Sequence, residues 1–350
     1  MTIEYKDSKR IVASGIGTEL VGIGGWKEVG RTTLGSANGT INVGSLADKR
    51  YYMILHDMQG TSSASGGTEW QFNSDTGNNY AKRDSQNGGT DSTAINQPKI
   101  LAFGTQQQPM FTVGYLSNLS TKEKLWQWWV NHAGDSAGAS VVPYRQEGVG
   151  KWANTSNAFD EIDYITTGSE TFDTNSEVVV LGWDEDDTHT TNFWEELATV
   201  ELNGNADEMD TGTITAKKYL WVQAYVNTTG AQDNQSFRFN GDTGNNYCWR
   251  DSRDGASDAT VVNYNYLRTC VGDDNNNFVN AFIINNSANE KLIISHAVKQ
   301  TTAGAGNEPK RNETVGKWVN TSAQITSINL KQHGNGDMTS GSILKVWGSD

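Results

Sequence analysis

Proline is scarce in this chain, four residues against thirty-seven glycines, and the long apolar stripes of a doubly wound helical fold are missing. With abundant Asn, Thr and Ser, that composition belongs to many turns between strands rather than to helices or disorder. Positive charge is short as well. Twenty-seven Lys and Arg against forty-one Asp and Glu leave a formal net charge of −14, which argues against nucleic acid and anionic membranes as partners. No run approaches the ~18 apolar residues of a membrane-spanning helix. The residues after Met1, Thr2 to Arg10, carry no apolar core and no small-residue cleavage site, so synthesis in a cytoplasm without a signal peptide is expected.

What is present is a duplication. Phe72-Asn73-Ser74-Asp75-Thr76-Gly77-Asn78-Asn79-Tyr80-Ala81-Lys82-Arg83-Asp84-Ser85 returns at Phe239 to Ser252, identical at eleven of fourteen positions. Pro143 to Ser156 returns at Pro309 to Ser322 with ten matches, in register with the first block. A period of this length far exceeds the roughly 20–50 residues of a solenoid or propeller unit, so each copy is a domain. The expected division is an extended N-terminal arm over residues 1–25, a first repeat over 26–187 and a second over 188–350, joined by the acidic stretch Asp184 to Thr191. Cys248 and Cys270 both fall in the second copy, and Ala81 stands opposite Cys248. A disulfide is therefore no part of the shared fold, and two buried free thiols are expected.

Strands are legible by their period of two. Leu220, Val222, Ala224 and Val226 alternate with Tyr219, Trp221, Gln223 and Tyr225, and Tyr51 to Leu55 with Phe111, Val113 and Tyr115 answer in the first copy. Each copy closes on a similar apolar strand, Val178 to Trp183 and Ile343 to Gly348. The fold class expected is all-β, two tandem jelly-roll-like β-sandwich domains behind the arm.

Three constellations could carry chemistry. The Asp75-to-Asn79 segment and its copy read first as tight turns, because Asp bonds its own downstream N–H groups and Gly and Asn tolerate positive φ. Asp75, Asn78, Asp242 and Asn245 are also hard oxygen donors, which keeps a Ca²⁺ site as an alternative without an EF-hand pattern. Arg145, Glu147, Lys151 and Trp152, mirrored by Arg311, Glu313, Lys317 and Trp318, suggest an ion pair beside a loop-anchoring Trp with the Lys lying over its ring. Trp126, Gln127, Trp128 and Trp129 are peculiar to the first copy. In a strand their rings divide between two faces, so one is expected outward, as a glycan or protein contact, with core filling as the alternative. Enzyme signatures are lacking, with no His-x-His or His-Glu-x-x-His spacing and no Gly-x-Ser-x-Gly elbow, so no catalytic residue, cofactor or metal is assigned.

The opening Tyr5 to Ile11, the Phe-Asn-x-Asp-Thr-Gly-Asn-Asn-Tyr block, the Glu-x-Val-Gly-Lys-Trp-x-Asn-Thr-Ser block and the Gly-Ser-Ile-Leu-Lys-Val-Trp-Gly close resemble predicted virion structural proteins, of capsid-decoration or tail type, from marine tailed viruses. The resemblance implies a non-enzymatic phage-like virion protein, an exterior capsid decoration or stabilising component, assembled as a homo-oligomer with other virion proteins. The alternative is a tail or fibre protein that binds surface carbohydrate or a receptor.

Overall fold

The computed structural model describes residues 4–6, 9–11, 25–60, 67–104, 108–184, 187, 191–229, 234–271, 276–334 and 336–350, and among them there is no helix. Every strand pairing is antiparallel. The first repeat holds an eight-stranded sheet in the order Lys27–Thr33, Glu177–Trp183, Tyr51–Met58, Met110–Ser117, Lys124–His132, Tyr144–Trp152, Tyr80–Gln86, Ser92–Gln97. Against it lies a four-stranded sheet, Thr40–Val43, Ile162–Thr166, Gly67–Phe72, Ile100–Gly104. The second repeat has the same order: Glu195–Glu201, Ile343–Ser349, Tyr219–Val226, Asn277–Ile284, Lys291–Lys299, Lys310–Trp318, Tyr247–Arg253, Ala259–Tyr264, facing Glu208–Asp210, Ile328–His333, Asn234–Phe239, Leu267–Cys270. Among the described residues it adds the short pair Thr228–Thr229 with Asp337–Met338.

Alternation explains the layering. Tyr52, Ile54, Val178 and Val180 point into the first repeat's own core with Trp70, Phe72 and Tyr164 of the small sheet. Their neighbours Met53, Leu55, Val179 and Leu181 point the other way, into a separate core shared with Tyr219, Phe282, Leu292 and Ile294 of the second repeat. The continuous apolar run Val178 to Leu181 is thus a strand buried on both faces. The layers run small sheet, large sheet, large sheet, small sheet.

Tandem jelly-roll-like sandwiches are therefore the wrong architecture. A jelly roll has eight strands, whereas each repeat here sets an eight-stranded sheet on a four-stranded one, and the repeats share a core. The physical reason is the closing strand: apolar on both faces, Glu177–Trp183 inserts beside Tyr51–Met58 inside the large sheet, and its second face needs a cover. Of the expected extended arm, only a hairpin of Glu4–Lys6 with Lys9–Ile11 falls within the described residues, together with Gly25. The acidic stretch is not simply solvated where it is described: Lys49 pairs with Asp184 and Asp187. Cys248 and Cys270 are buried free thiols, their pKa values pushed up by burial to about 12 and about 11.

Candidate functional site

The strand containing the Trp cluster sends Trp126 and Trp128 into the core between the two sheets, where both are fully buried. Leu125 and Gln127 point to the opposite face. Register extends that face into rows across the large sheet: Tyr51, Ser117, Leu125, Lys151 and Ala81, then Met53, Tyr115, Gln127, Val149 and Arg83. At this end of the sheet these residues, except the buried Met53, line an open groove of about 830 Å³, walled also by Trp26 and Trp183. Tyr51 stacks on Trp183 at 5.5 Å, and Trp26 leans on Tyr115 at 6.1 Å. Leu125 is 58% exposed and Val149 52%, an uncovered apolar floor. Charges stand at the rim, with Lys151 bonded to Glu123 at 2.9 Å and Arg83 to Asp91 at 3.2 Å.

The second repeat carries the same face. By register, Tyr219 stands for Tyr51, Phe282 for Tyr115, Leu292 for Leu125, Val315 for Val149, Lys317 for Lys151 and Arg250 for Arg83. There it is covered by the far end of the first repeat's large sheet. Phe111 lies 6.4 Å from the Tyr219 ring, and Asn131 donates to the carbonyls of Ile293 and Gly316, both at 2.8 Å. Burial changes the same rim pair completely. The side chains of Lys151 and Glu123 are 46% and 41% exposed, those of Lys317 and Glu290 0% and 6%.

The seam between the repeats is also polar. Arg145 reaches Asp258 at 2.8 Å and Glu313 at 3.2 Å across it while keeping Glu147 at 3.0 Å in its own strand. Desolvation works against that guanidinium, but the surrounding carboxylates outweigh it and hold its pKa above the usual value. Lys218 bridges Asp57 at 3.0 Å and Glu177 at 2.9 Å, and the Tyr219 hydroxyl donates to Glu177 at 2.7 Å. Burial raises the Asp57 carboxyl despite Lys218 and Asn286.

The other expected residues fall as follows. Asp75 accepts from the Gly77 N–H at 2.8 Å, the Asn79 amide at 2.9 Å and the Trp152 ring N–H at 2.7 Å; Asp242 accepts the same three from Gly244, Asn246 and Trp318. Burial opposes ionisation, yet these donors hold both carboxyls below the ordinary range. Oxygens so occupied by donors serve the turn; Asn78 and Asn245 are exposed, and the described residues include no group of three or more His, Cys, Asp or Glu placed to hold a metal. The cation over the Trp ring is not Lys151 or Lys317 but the residue opposite in register: Lys124 lies 5.1 Å from Trp152 and Lys291 5.7 Å from Trp318. Neither Trp126 nor Trp128 offers a ring face to a ligand, and half-buried Trp129 packs edge-on against His296 across the seam at 5.1 Å. The sequence reading missed Tyr51, Tyr115, Leu125 and Val149 as a site. The available signal was that apolar residues flank Trp126 and Trp128 on the face they do not use.

No family model and no curated protein matches this chain. Among solved structures it is similar to Neisserial surface protein A, with 5% identity over 81% of this chain and 99% of that one at a TM-score of 0.15. It is also similar to Ail, the attachment invasion locus protein of Yersinia pestis, with 7% identity, coverages of 79% and 100% and a TM-score of 0.12. The outer membrane protease OmpT of Escherichia coli gives 6%, 84%, 98% and 0.12. Scores this low mark no common fold. Among the described residues each large sheet is open, its outer strands paired on one side only.

Proposed function

We propose that the chain is a non-enzymatic structural component that works by docking, with the open groove of the first repeat as its working surface. One observation carries this reading: a face whose counterpart is a fully formed interface in the second repeat stands uncovered in the first. Contiguous apolar surface of this kind, rimmed by charge, marks interaction sites. Four packed layers hold the groove rigid, which suits a building block. The sequence resemblance supplies the setting, an exterior decoration or stabilising protein of a phage-like virion, in contact with other virion proteins.

Immunogold labelling of particles from the source tests the setting. Label spread over the shell is the expected result, label at one pole moves the protein to the tail, and unlabelled particles overturn the virion reading. A second reading has its own observation, the stacked Tyr51 and Trp183 rings beside Gln127, which suit a sugar ring held by aromatic contact. Glycan arrays decide it: retention lost in Tyr51→Ala supports carbohydrate binding, and no retention by the wild-type chain removes it.

A further inference from the structure

We infer that the groove of one copy receives the second repeat's far edge from another copy, so that chains join head to tail. The inference rests on reading the groove as a docking surface. Its template is the seam inside the chain, where the first repeat's edge already fills the second repeat's groove. The edge of the second repeat that corresponds to this occupant carries Phe278 where the first has Phe111, Val298 for Asn131, Tyr225 for Asp57 and Arg311 for Arg145. Phe111, Asn131, Asp57 and Arg145 are buried in the seam; Phe278, Val298 and Tyr225 are exposed, and Arg311 points 59% of its side chain to solvent.

Repeating the seam between copies gives specific contacts. Phe278 would lie on Tyr51 as Phe111 lies on Tyr219, and Arg311 would reach Asp91 as Arg145 reaches Asp258. The substitutions match across the joint. Inside the chain, Asp57 accepts from Asn286 at 2.9 Å; the corresponding residues for the outer contact are Tyr225 and Leu119, both exposed and both apolar enough to pack. The outer joint is thus more apolar than the inner one: Tyr225 and Ile343 replace the carboxylates Asp57 and Glu177 that Lys218 bridges, and Arg50, at the Lys218 position, donates instead to the Asn118 carbonyl within its own repeat. A heterologous contact of this kind closes into a ring or continues as a filament, according to the rotation per copy.

The test uses the full chain in sedimentation velocity over a concentration series. Leu125→Asp spoils only the groove and Phe278→Asp only the edge, and both sites are exposed enough for the fold to survive, which circular dichroism verifies. The wild-type chain is expected to associate with concentration, and each variant alone to stay monomeric. Their equimolar mixture is expected to form dimers and nothing larger, because it contains one intact edge and one intact groove. Asp91→Arg and Arg311→Asp should each weaken association by roughly tenfold, and mixing them should restore it. A wild-type chain monomeric at its highest soluble concentration, an oligomeric Leu125→Asp variant, or a mixture that fails to pair overturns the inference. If the wild-type chain is monomeric but Leu125→Asp loses particle or glycan binding, the occupant is wrong and the docking surface stands. If that variant changes neither assembly nor binding, both fall.

Discussion

The two repeats share one topology and one face, and they differ in what covers it. In the second, Tyr219, Leu292, Val315 and the Lys317–Glu290 pair are sealed under the first repeat; in the first, Tyr51, Leu125, Val149 and the Lys151–Glu123 pair meet solvent. The comparison teaches that residue type at a position does not reveal whether it is core or surface. Leucine, lysine and glutamate recur at matching places with opposite exposure, because burial here depends on which domain stands opposite.

The largest expected effect comes from breaking the sealed ion pair. Glu290→Ala strands Lys317 without its carboxylate in the seam and should cost about 3–5 kcal/mol, read by urea denaturation, whereas Glu123→Ala at the matching open site should leave the midpoint almost unmoved. Equal losses would erase the distinction between the two faces.

A second contrast lies in the cores. Gly114 leaves room for Trp126, where a Cβ would lie only 2.0 Å from the ring, while the second repeat has Ala281 at the position of Gly114 and the smaller Ile293 at that of Trp126. Gly114→Ala should therefore overpack the first core by about 1–3 kcal/mol. A neutral result would mean that the Trp cluster yields more readily than its packing indicates.

Acid tests the buried imidazoles, His56 and His132 among the rings of the first repeat and His296 against Trp129 across the seam. Burial lowers His56 to about 3 and both His132 and His296 to about 4, each below the unfolded value of 6.5. The unfolded chain then binds protons that the fold excludes, so this stability is present above pH 6.5 and is lost as pH falls toward those values, by about 1.4 kcal/mol per pH unit for each imidazole. Asp57 and Glu313, raised by burial, act in the opposite sense as pH falls toward the ordinary carboxylate range. Melting temperatures from pH 7 to 4.5 should fall steadily, and His296→Gln should flatten the slope. A flat profile in the wild-type chain would show that these rings are not held neutral.

The smallest difference is expected where the repeats agree. Asp75→Ala and Asp242→Ala remove the same turn acceptor and should cost similar amounts, about 1–3 kcal/mol each, and neither Ca²⁺ nor a chelator should shift the wild-type melting temperature. A calcium-dependent shift would reopen the metal reading.

Much of the scaffold was readable because its signals are local. The Asp75 turn declares itself through Asp, Gly and Asn, and Tyr219 to Val226 alternate as a strand must. The Arg145–Glu147 pairing follows from their sharing one face of a strand. The sequence points to Lys151 as the cation over Trp152, whereas the structure puts Lys124 there, because the neighbour in register lies closer to a ring than the neighbour in sequence. The Trp cluster misled for a related reason: glycines at 114 and 148, on flanking strands, open the space that takes Trp126 and Trp128 inward.

By itself the sequence determined that the chain is built twice, from antiparallel strands with the same turns, because turn chemistry and alternation act over a few residues. Only the tertiary structure decided that eight strands face four, that the large sheets share a core, and that one of two equivalent faces stays open. Those outcomes depend on contacts between residues more than a hundred positions apart, whose partners no local pattern names.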